Sequence, residues 1–133
     1  MIHFKKKHHF KFKKKLDFSK HILKFGSFGF KIKKAVCINY KQKTFIKFFI
    51  LKIVKKIINN KIKIFFYSKC NYNQTKLPLE SSMGKGKGEI SNSFGYYKAG
   101  FLFFEIKNIS LNNVLQLKNF LNKKKIANFF LIY

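Results

Sequence analysis

Positive charge constrains this chain more than any other feature of its sequence. Its 133 residues include 30 lysines, no arginine and only 4 acidic residues, which gives a net charge of +26 at neutral pH. Lysines at this density repel one another in a compact state, and a polyanion relieves that repulsion. We therefore expect the chain to fold next to phosphate groups.

The chain is nevertheless apolar enough to form a core. Hydrophobic residues make up 47% of it and aromatic residues 19%, which is too much for a disordered basic tail. Its length suits one domain that buries roughly two thirds of the surface of its unfolded chain. The longest apolar runs, such as residues 48–51 and 129–133, are far shorter than the ~20 residues that span a bilayer, so we expect no membrane insertion.

The type of basic residue indicates how phosphate is bound. Lysine is a point charge and lacks the planar fork with which arginine makes bidentate contacts. Binding to a nucleic-acid backbone is therefore favoured over sequence-specific reading of bases. The absence of Arg and Trp, with over half of the chain made of Lys, Phe, Ile and Asn, also indicates an AT-rich genome.

The charge pattern divides the chain into a basic N-terminal arm, residues 1–24, and a single domain, residues 25–133. Alternation of Phe10 and Phe12 allows a short strand in the arm, and an arm that orders only on its partner fits the pattern equally well. The residues expected to bind nucleic-acid phosphate are Lys5, Lys6, Lys7, Lys11, Lys13, Lys14, Lys15 and Lys31.

Periodicity and turn residues predict an α+β fold in which an antiparallel sheet packs with two helices. The helices are expected at residues 40–59, capped by Asn39, and at residues 111–123, capped by Ser110. A polar loop is expected at residues 68–89, and a loop of this length is functional or disordered in most domains. The predicted strands cover residues 31–38 after a turn at residues 25–30, residues 61–67, residues 93–98 and 101–107 joined as a hairpin at Ala99-Gly100, and residues 126–132.

The loop contains the stretch SSMGKGKGEI, residues 81–90. It is not a P-loop, because Glu89 follows the last glycine without the required Lys-Ser/Thr, and it lacks the third glycine of a dinucleotide fingerprint. Its Ser-x-x-Lys lacks the companion motifs of penicillin-binding enzymes. Glycines allow backbone N–H groups to approach phosphate while lysines add charge, and a solvated flexible turn is the alternative interpretation. The residues expected to face nucleic acid are Met83, Gly84, Lys85, Gly86, Lys87 and Gly88.

Catalytic and metal-binding groups are scarce. Four carboxylates give little scope for paired acid and base catalysis. The cysteines have no second cysteine or histidine at ligand spacing, which argues against a zinc site or a disulfide framework. We therefore expect neither a cofactor nor an enzymatic activity. The residues that could have served as catalytic groups or metal ligands are Asp17, Glu80, Glu89 and Glu105, Cys37 and Cys70, and the adjacent His8 and His9 within a lysine run.

Three stretches together resemble one protein family. PLESSMGKGKG, KAGFLFFEI and FGSFGFK are similar to Pro-Leu-x-x-Arg-Met-Gly-Lys-Gly-Lys-Gly, Pro-Gly-x-(Ile/Val)-Leu-(Phe/Tyr)-Glu and Phe-Gly-x-(Phe/Tyr)-Gly-Leu of bacterial-type large ribosomal subunit protein sixteen. The interval from Gly88 to Gly100 matches without a gap, and Gln42 falls where the family has the Gln of its first helix. The similarity runs nearly end to end.

This resemblance implies an α+β domain that binds large-subunit rRNA beside the aminoacyl-tRNA site and helps to complete the peptidyl transferase region, without being the catalyst. The implied partners are rRNA, aminoacyl-site tRNA and neighbouring large-subunit proteins. Lys5, Lys6 and Lys11 occupy the places of the family's early Lys, Arg and Lys. The arm and the loop from Met83 to Gly88 then become the elements that face rRNA and tRNA.

The chain also departs from the family pattern. Ser82 replaces the Arg before Met, Lys63 replaces a Trp, and Ala99 replaces the Pro of the Pro-Gly turn. Because the chain begins where the family begins, we expect a gene inside an organelle and a place in the mitochondrial ribosome of the matrix. Plastid relatives more often have Ala or Ser at the place of Lys85, so a plastid is the second choice.

Two other functions fit the composition. Lys and Phe together are typical of cationic amphipathic helices that bind membranes. Such a helix needs one wide polar face, whereas Lys43 and Lys47 fall nearly opposite Lys52 in the first predicted helix. The second alternative is a free RNA chaperone that does not remain on the large subunit.

Overall fold

A computed structural model of the chain describes residues 22–57, 62–82, 84 and 86–133. Within these residues the chain forms two helices and seven strands, so the predicted α+β class is confirmed. The elements are β1 (Phe28–Ile32), β2 (Val36–Asn39), α1 (Tyr40–Ile57), β3 (Lys63–Phe66), β4 (Tyr72–Lys76), β5 (Glu89–Tyr97), β6 (Leu102–Lys107), α2 (Leu111–Lys123) and β7 (Phe129–Ile132).

The described strands form two antiparallel sheets where one was predicted. The four-stranded sheet has the order β3-β6-β1-β7, and the three-stranded sheet has the order β2-β5-β4. Strand β6 is buried along almost its whole length, as expected for a strand with neighbours on both edges and packed side chains on both faces.

The core is aromatic, and both helices pack against it. Phe30 of β1 stacks on Phe104 of β6 with ring centroids 4.4 Å apart, and Phe103 meets Phe129 of β7 at 5.5 Å in an edge-on arrangement. Helix α1 buries Ile46 and Ile50, whereas α2 buries Val114, Leu117 and Leu121. These spacings of three and four residues place each helix's buried residues on one face.

Helix α2 has the predicted bounds, and α1 begins where predicted. The backbone N–H of Asn39 donates to Oε1 of Gln42 at 3.0 Å, which is half of a capping box and satisfies a donor at the start of α1. Ser110 precedes α2 with extended backbone but makes no side-chain capping hydrogen bond.

The single strand predicted at residues 31–38 is wrong. The chain leaves β1 after Ile32 and re-enters the other sheet as β2 at Val36. A continuous strand would point Lys34 to the same side as Ile32 and Val36, which would bury a lysine in the core. The break at residues 33–35 keeps Lys34 exposed. The turn predicted at residues 25–30 is correspondingly shorter, because β1 already begins at Phe28.

The hairpin predicted at Ala99-Gly100 is also wrong. Strand β5 pairs with β2 and β4, whereas β6 pairs with β1 and β3. The turn instead carries the chain from one sheet to the other. Gly100 has φ 86°, and its N–H donates to the carbonyl of Ile32 at 2.8 Å. Tertiary pairing with β1 and β3 therefore overrides the local signal for a hairpin.

The polar loop predicted at residues 68–89 contains a strand. Residues 72–76 form β4, which pairs antiparallel with β5 from Tyr72 opposite Phe94 to Lys76 opposite Glu89. Strand β4 lies at the edge of its sheet and is little buried. Its side chains need not be apolar, so the sequence YNQTK lacks the apolar alternation that indicates a strand. The segment between β4 and β5 is therefore shortened to residues 77–88, which we call the Gly/Lys loop.

Candidate nucleic-acid interface

The Gly/Lys loop, residues 77–88, connects β4 to β5. Lys76 and Glu89 are paired at its base, so the loop leaves and returns at neighbouring points of the three-stranded sheet. Most of the described loop residues are exposed, and the side chain of Leu79 is 97% exposed. A shallow cleft of about 330 Å³ lies at the base and is lined by Lys76, Leu77, Pro78, Leu79, Glu89, Ile90 and Ser91.

The glycines of this loop have two different roles. Gly84 has φ 97° and Gly86 has φ 84°, and a Cβ at either position would have no atom within 4 Å. These two residues adopt left-handed backbone conformations in open space, where glycine avoids the strain that other residues incur. A Cβ on Gly88 would lie 2.5 Å from the carbonyl oxygen of Lys76. Gly88 therefore allows the two strands to meet closely where the loop closes.

The structure describes only part of the predicted site. Met83 and Lys85 lie outside the described residues, as do the arm lysines Lys5, Lys6, Lys7, Lys11, Lys13, Lys14 and Lys15. Lys87 is exposed beside Gly86 and Gly88. The geometry thus brings exposed glycine backbone and lysine together at the loop, which is an arrangement that can approach phosphate closely.

Lys31 is placed differently from the other predicted phosphate-binding residues. It lies in β1 between β6 and β7, opposite Leu102 and Phe130, and is only 4% exposed. A side chain this buried does not present its ammonium group to a nucleic acid on the surface. Lys31 is therefore not part of the proposed interface.

A buried carboxylate holds residues 24–26, which precede β1, against β6. Glu105 of β6 is 0% exposed. Its Oε1 accepts a hydrogen bond from the N–H of Lys24 at 3.1 Å, and its Oε2 accepts from the N–H groups of Phe25 at 2.8 Å and Gly26 at 2.7 Å. A Cβ on Gly26 would lie 2.7 Å from the Cβ of Glu105, so glycine is what permits this approach.

These hydrogen bonds determine the charge of Glu105. Burial opposes its ionisation, but the N–H groups of Phe25, Lys24 and Gly26 and the hydroxyl of Tyr67 lower the pKa of its carboxyl below the ordinary value. Burial, followed by the hydrogen bond to Glu105 and its negative charge, raises the pKa of Tyr67 to about 12. At neutral pH the site therefore holds an ionised carboxylate next to a neutral tyrosine.

Sequence reasoning treated Glu105 only as one of four acids and missed its role. A signal was present, because Glu105 is the one charged residue within the apolar run FLFFEI. A charge in such a run is buried only if hydrogen bonds satisfy it. The partners themselves lie about eighty residues earlier in the chain, and no local pattern points to them.

Other site types find no support in the described part of the chain. No group of three His, Cys, Asp or Glu residues there could hold a metal ion. Neither helix of the described residues is long and apolar enough to cross a membrane. Cys37 is exposed and Cys70 is buried, and both are free thiols.

Comparison with known proteins finds a matching family and a similar protein. Residues 2–125 match the family described as ribosomal protein L16p/L10e. The chain is also similar to the large ribosomal subunit protein uL16m of Chondrus crispus, with 36% identity over 121 residues that cover 90% of this chain and 88% of the relative.

Proposed function

Because this chain belongs to the ribosomal protein L16p/L10e family, we propose that it is a structural protein of the large ribosomal subunit that binds rRNA beside the aminoacyl-tRNA site and supports assembly of the peptidyl transferase region. The family is one of structural ribosomal proteins and not of enzymes. The proposed partners are large-subunit rRNA, aminoacyl-site tRNA and neighbouring ribosomal proteins.

The observation that carries this proposal is the loop at residues 77–88. It combines exposed backbone at Gly84 and Gly86, both in left-handed conformations with open space around them, with the adjacent charge of Lys87. Backbone N–H groups and lysine are the groups that bind phosphate without reading sequence. The net charge of +26 supplies the long-range attraction to rRNA.

The ribosome tested should be that of the mitochondrion. We place the protein there because of its similarity to uL16m, and we propose that its gene lies inside an organelle because of the AT-rich codon usage that its composition indicates. A plastid ribosome is the second choice. Co-sedimentation of the protein with large subunits from purified mitochondria and purified plastids distinguishes the two.

Stable association with the subunit separates this function from its alternatives. We expect the protein to remain with large subunits in a sucrose gradient at high salt. Release at high salt together with RNA annealing activity would favour a free RNA chaperone. Tighter binding to anionic vesicles than to rRNA at equal salt would favour a membrane-binding protein.

The loop's role at the tRNA site needs a functional assay. Replacing Gly84 and Gly86 with Val adds branched side chains where RNA must approach. It also disfavours the positive φ angles that the two glycines adopt. We expect subunits reconstituted with this variant at matched occupancy to be deficient in peptidyl transfer. Lys85→Ala with Lys87→Ala should give a milder, salt-sensitive defect, because the backbone can still approach. Full activity of the valine variant would remove the loop from the tRNA site.

A further inference from the structure

The outer face of α1 carries aromatic rings and lysines in one stripe. Lys41, Phe45, Phe48, Lys52 and Lys55 follow one another at spacings of three or four residues, so they lie along the same side of the helix. All five are exposed, and Phe48 is 71% exposed. We call these five residues the outer stripe.

One ring of the outer stripe packs against a neighbouring ring of the same helix. The ring of Phe45 stacks on that of Phe49 with centroids 5.8 Å apart and an interplanar angle of 13°. Phe49 in turn lies beneath the ammonium of Lys124, which is 5.0 Å from its ring centroid. Phe45 is 46% exposed, so part of its stacked ring remains available for a further contact.

No acidic side chain of α1 compensates the charge around these rings. The sequence contains no acidic residue between Asp17 and Glu80, so no carboxylate lies on α1. Lys41, Lys52 and Lys55 therefore surround the exposed rings with positive charge alone. This charge complementarity selects a polyanion as the partner, and the exposed rings select one with flat apolar groups between its charges.

Among polyanions, unpaired RNA fits better than a lipid surface. A membrane-binding helix inserts a continuous apolar face, but that face of α1, which includes Ile46 and Ile50, is buried in the core. The outer stripe instead interrupts its rings with lysines. Unpaired nucleotides present bases that stack on aromatic side chains, with phosphates between them that bind lysine.

We propose that the outer stripe binds unpaired nucleotides of large-subunit rRNA, with bases stacked on Phe45 and Phe48 and phosphates in contact with Lys41, Lys52 and Lys55. The proposal rests on the proposed function, because it names a second rRNA contact of the same protein. It assigns this contact to a loop, bulge or end of the rRNA, since bases within a duplex are not free to stack on a side chain.

The test compares a short single-stranded RNA with a duplex that has the same number of phosphates. The full-length protein is titrated with each RNA at several salt concentrations. Replacing Phe45 and Phe48 with Ala should weaken binding of the single strand about tenfold or more, given the usual contribution of base stacking, and should leave duplex affinity unchanged. Replacing Lys52 and Lys55 with Gln should instead lower the salt dependence for both RNAs.

A matched control lies on the other helix. Phe120 of α2 is 43% exposed, which is close to the exposure of Phe45, and the ammonium of Lys123 lies 5.9 Å from its ring centroid, so it is an exposed ring beside a lysine that lies outside the outer stripe. Phe120→Ala should leave the affinity for the single strand unchanged. Circular dichroism of each variant in the presence of RNA confirms that the helices are retained.

The outcomes separate this inference from the proposed function. Wild-type protein that binds rRNA and large subunits, with no selective loss for the Phe45 and Phe48 variant, would overturn the inference alone. An equal loss for duplex and single strand would also overturn it. Loss of binding to anionic vesicles with unchanged RNA affinity would assign the stripe to a lipid surface. Wild-type protein that fails to bind large subunits would overturn the proposed function.

Discussion

At the scale of single residues, a buried carboxylate determines how the segment before β1 meets the four-stranded sheet. Glu105 combines complete burial with three backbone hydrogen bonds to residues 24–26. A buried charge is stable only when its hydrogen-bonding capacity is satisfied. The segment that precedes β1 is therefore held against β6 by this carboxylate.

Glu105→Gln tests this attachment. One of the two accepting oxygens becomes an NH₂ group, which cannot accept from Lys24 or from Phe25 and Gly26, so a buried hydrogen bond is lost. We expect unfolding free energy to fall by roughly 1–3 kcal/mol. Chemical denaturation at neutral pH, with the same polyanion present throughout, measures the loss. Glu89→Gln is the control, because Glu89 is exposed, and an equal loss there would contradict the prediction.

The same carboxylate predicts a pH dependence. The pKa of Glu105 is lowered in the folded state from 4.5, so its contribution to stability is fully present above the pKa of the unfolded chain. That contribution is lost as pH falls below about 4.5 and through the lower folded-state pKa. The wild type and Glu105→Gln should therefore converge in stability at acidic pH. A difference between them that persists below that range would show that ionisation is not involved.

The loop glycines should respond differently to the same substitution. Gly84→Val and Gly86→Val add side chains in open space. A β-branched residue at the positive φ of these positions is strained, but the exposed loop can relieve that strain by changing its own conformation, so we expect the thermal stability of the packed core to be retained. Gly88→Val places its Cβ 2.5 Å from the carbonyl of Lys76, and such overpacking costs about 1–3 kcal/mol. Thermal denaturation in the presence of a polyanion measures both. Equal melting temperatures for all three variants would contradict this division.

At the scale of elements, exposed segments are attached to packed helices and strands. The β4–β5 hairpin carries the Gly/Lys loop, and α1 carries the outer stripe, so each proposed RNA-binding segment is attached to an element whose other side is packed. The rigid elements set the position of each segment, and the exposed side chains supply the charge. Removing one of these segments' lysines or rings should therefore weaken RNA binding without unfolding the domain.

The basic arm can be tested as such an element. Replacing Lys5, Lys6, Lys7 and Lys11 with Gln should weaken rRNA binding for all sequences, because binding to phosphate does not depend on the base. The slope of log affinity against log salt concentration should fall in magnitude by about 0.7 to 0.9 for each phosphate that the arm no longer binds. Filter binding at several salt concentrations measures the slope, and an unchanged slope would mean that the arm does not touch phosphate.

At the scale of the whole molecule, charge opposes the compact state that the aromatic core favours. The net charge is +26 on 133 residues, whereas the core packs Phe30, Phe103, Phe104 and Phe129 with almost no exposure. Repulsion among the lysines lowers the stability of the isolated protein. Binding of phosphate neutralises this charge and stabilises the folded state by mass action.

The isolated protein should therefore be poorly ordered or aggregate at low salt. Addition of rRNA fragments or inorganic polyphosphate should restore a cooperative thermal transition, because both neutralise lysine charge. Circular dichroism melting curves with and without the anion measure the effect. A sharp cooperative transition at low salt in the absence of any polyanion would contradict this prediction.

The sequence by itself determined the class of the fold, the positions of both helices and the polyanionic character of the partner. These properties follow from local periodicity and from total charge, which need no knowledge of distant residues. The family resemblance, now confirmed, also came from local motifs. Edge strand β4 was missed because its side chains are largely polar and little buried.

Only the tertiary structure decided which strands pair and which polar groups meet. Residues 93–98 and 101–107 have the local pattern of a hairpin, but β5 pairs with β2 and β4, whereas β6 pairs with β1 and β3, which lie far earlier in the chain. Glu105 meets residues 24–26, and Lys31 becomes buried, through the same long-range pairing. Local sequence sets what a segment can form, whereas burial and hydrogen-bond satisfaction across the whole chain select the partner it takes.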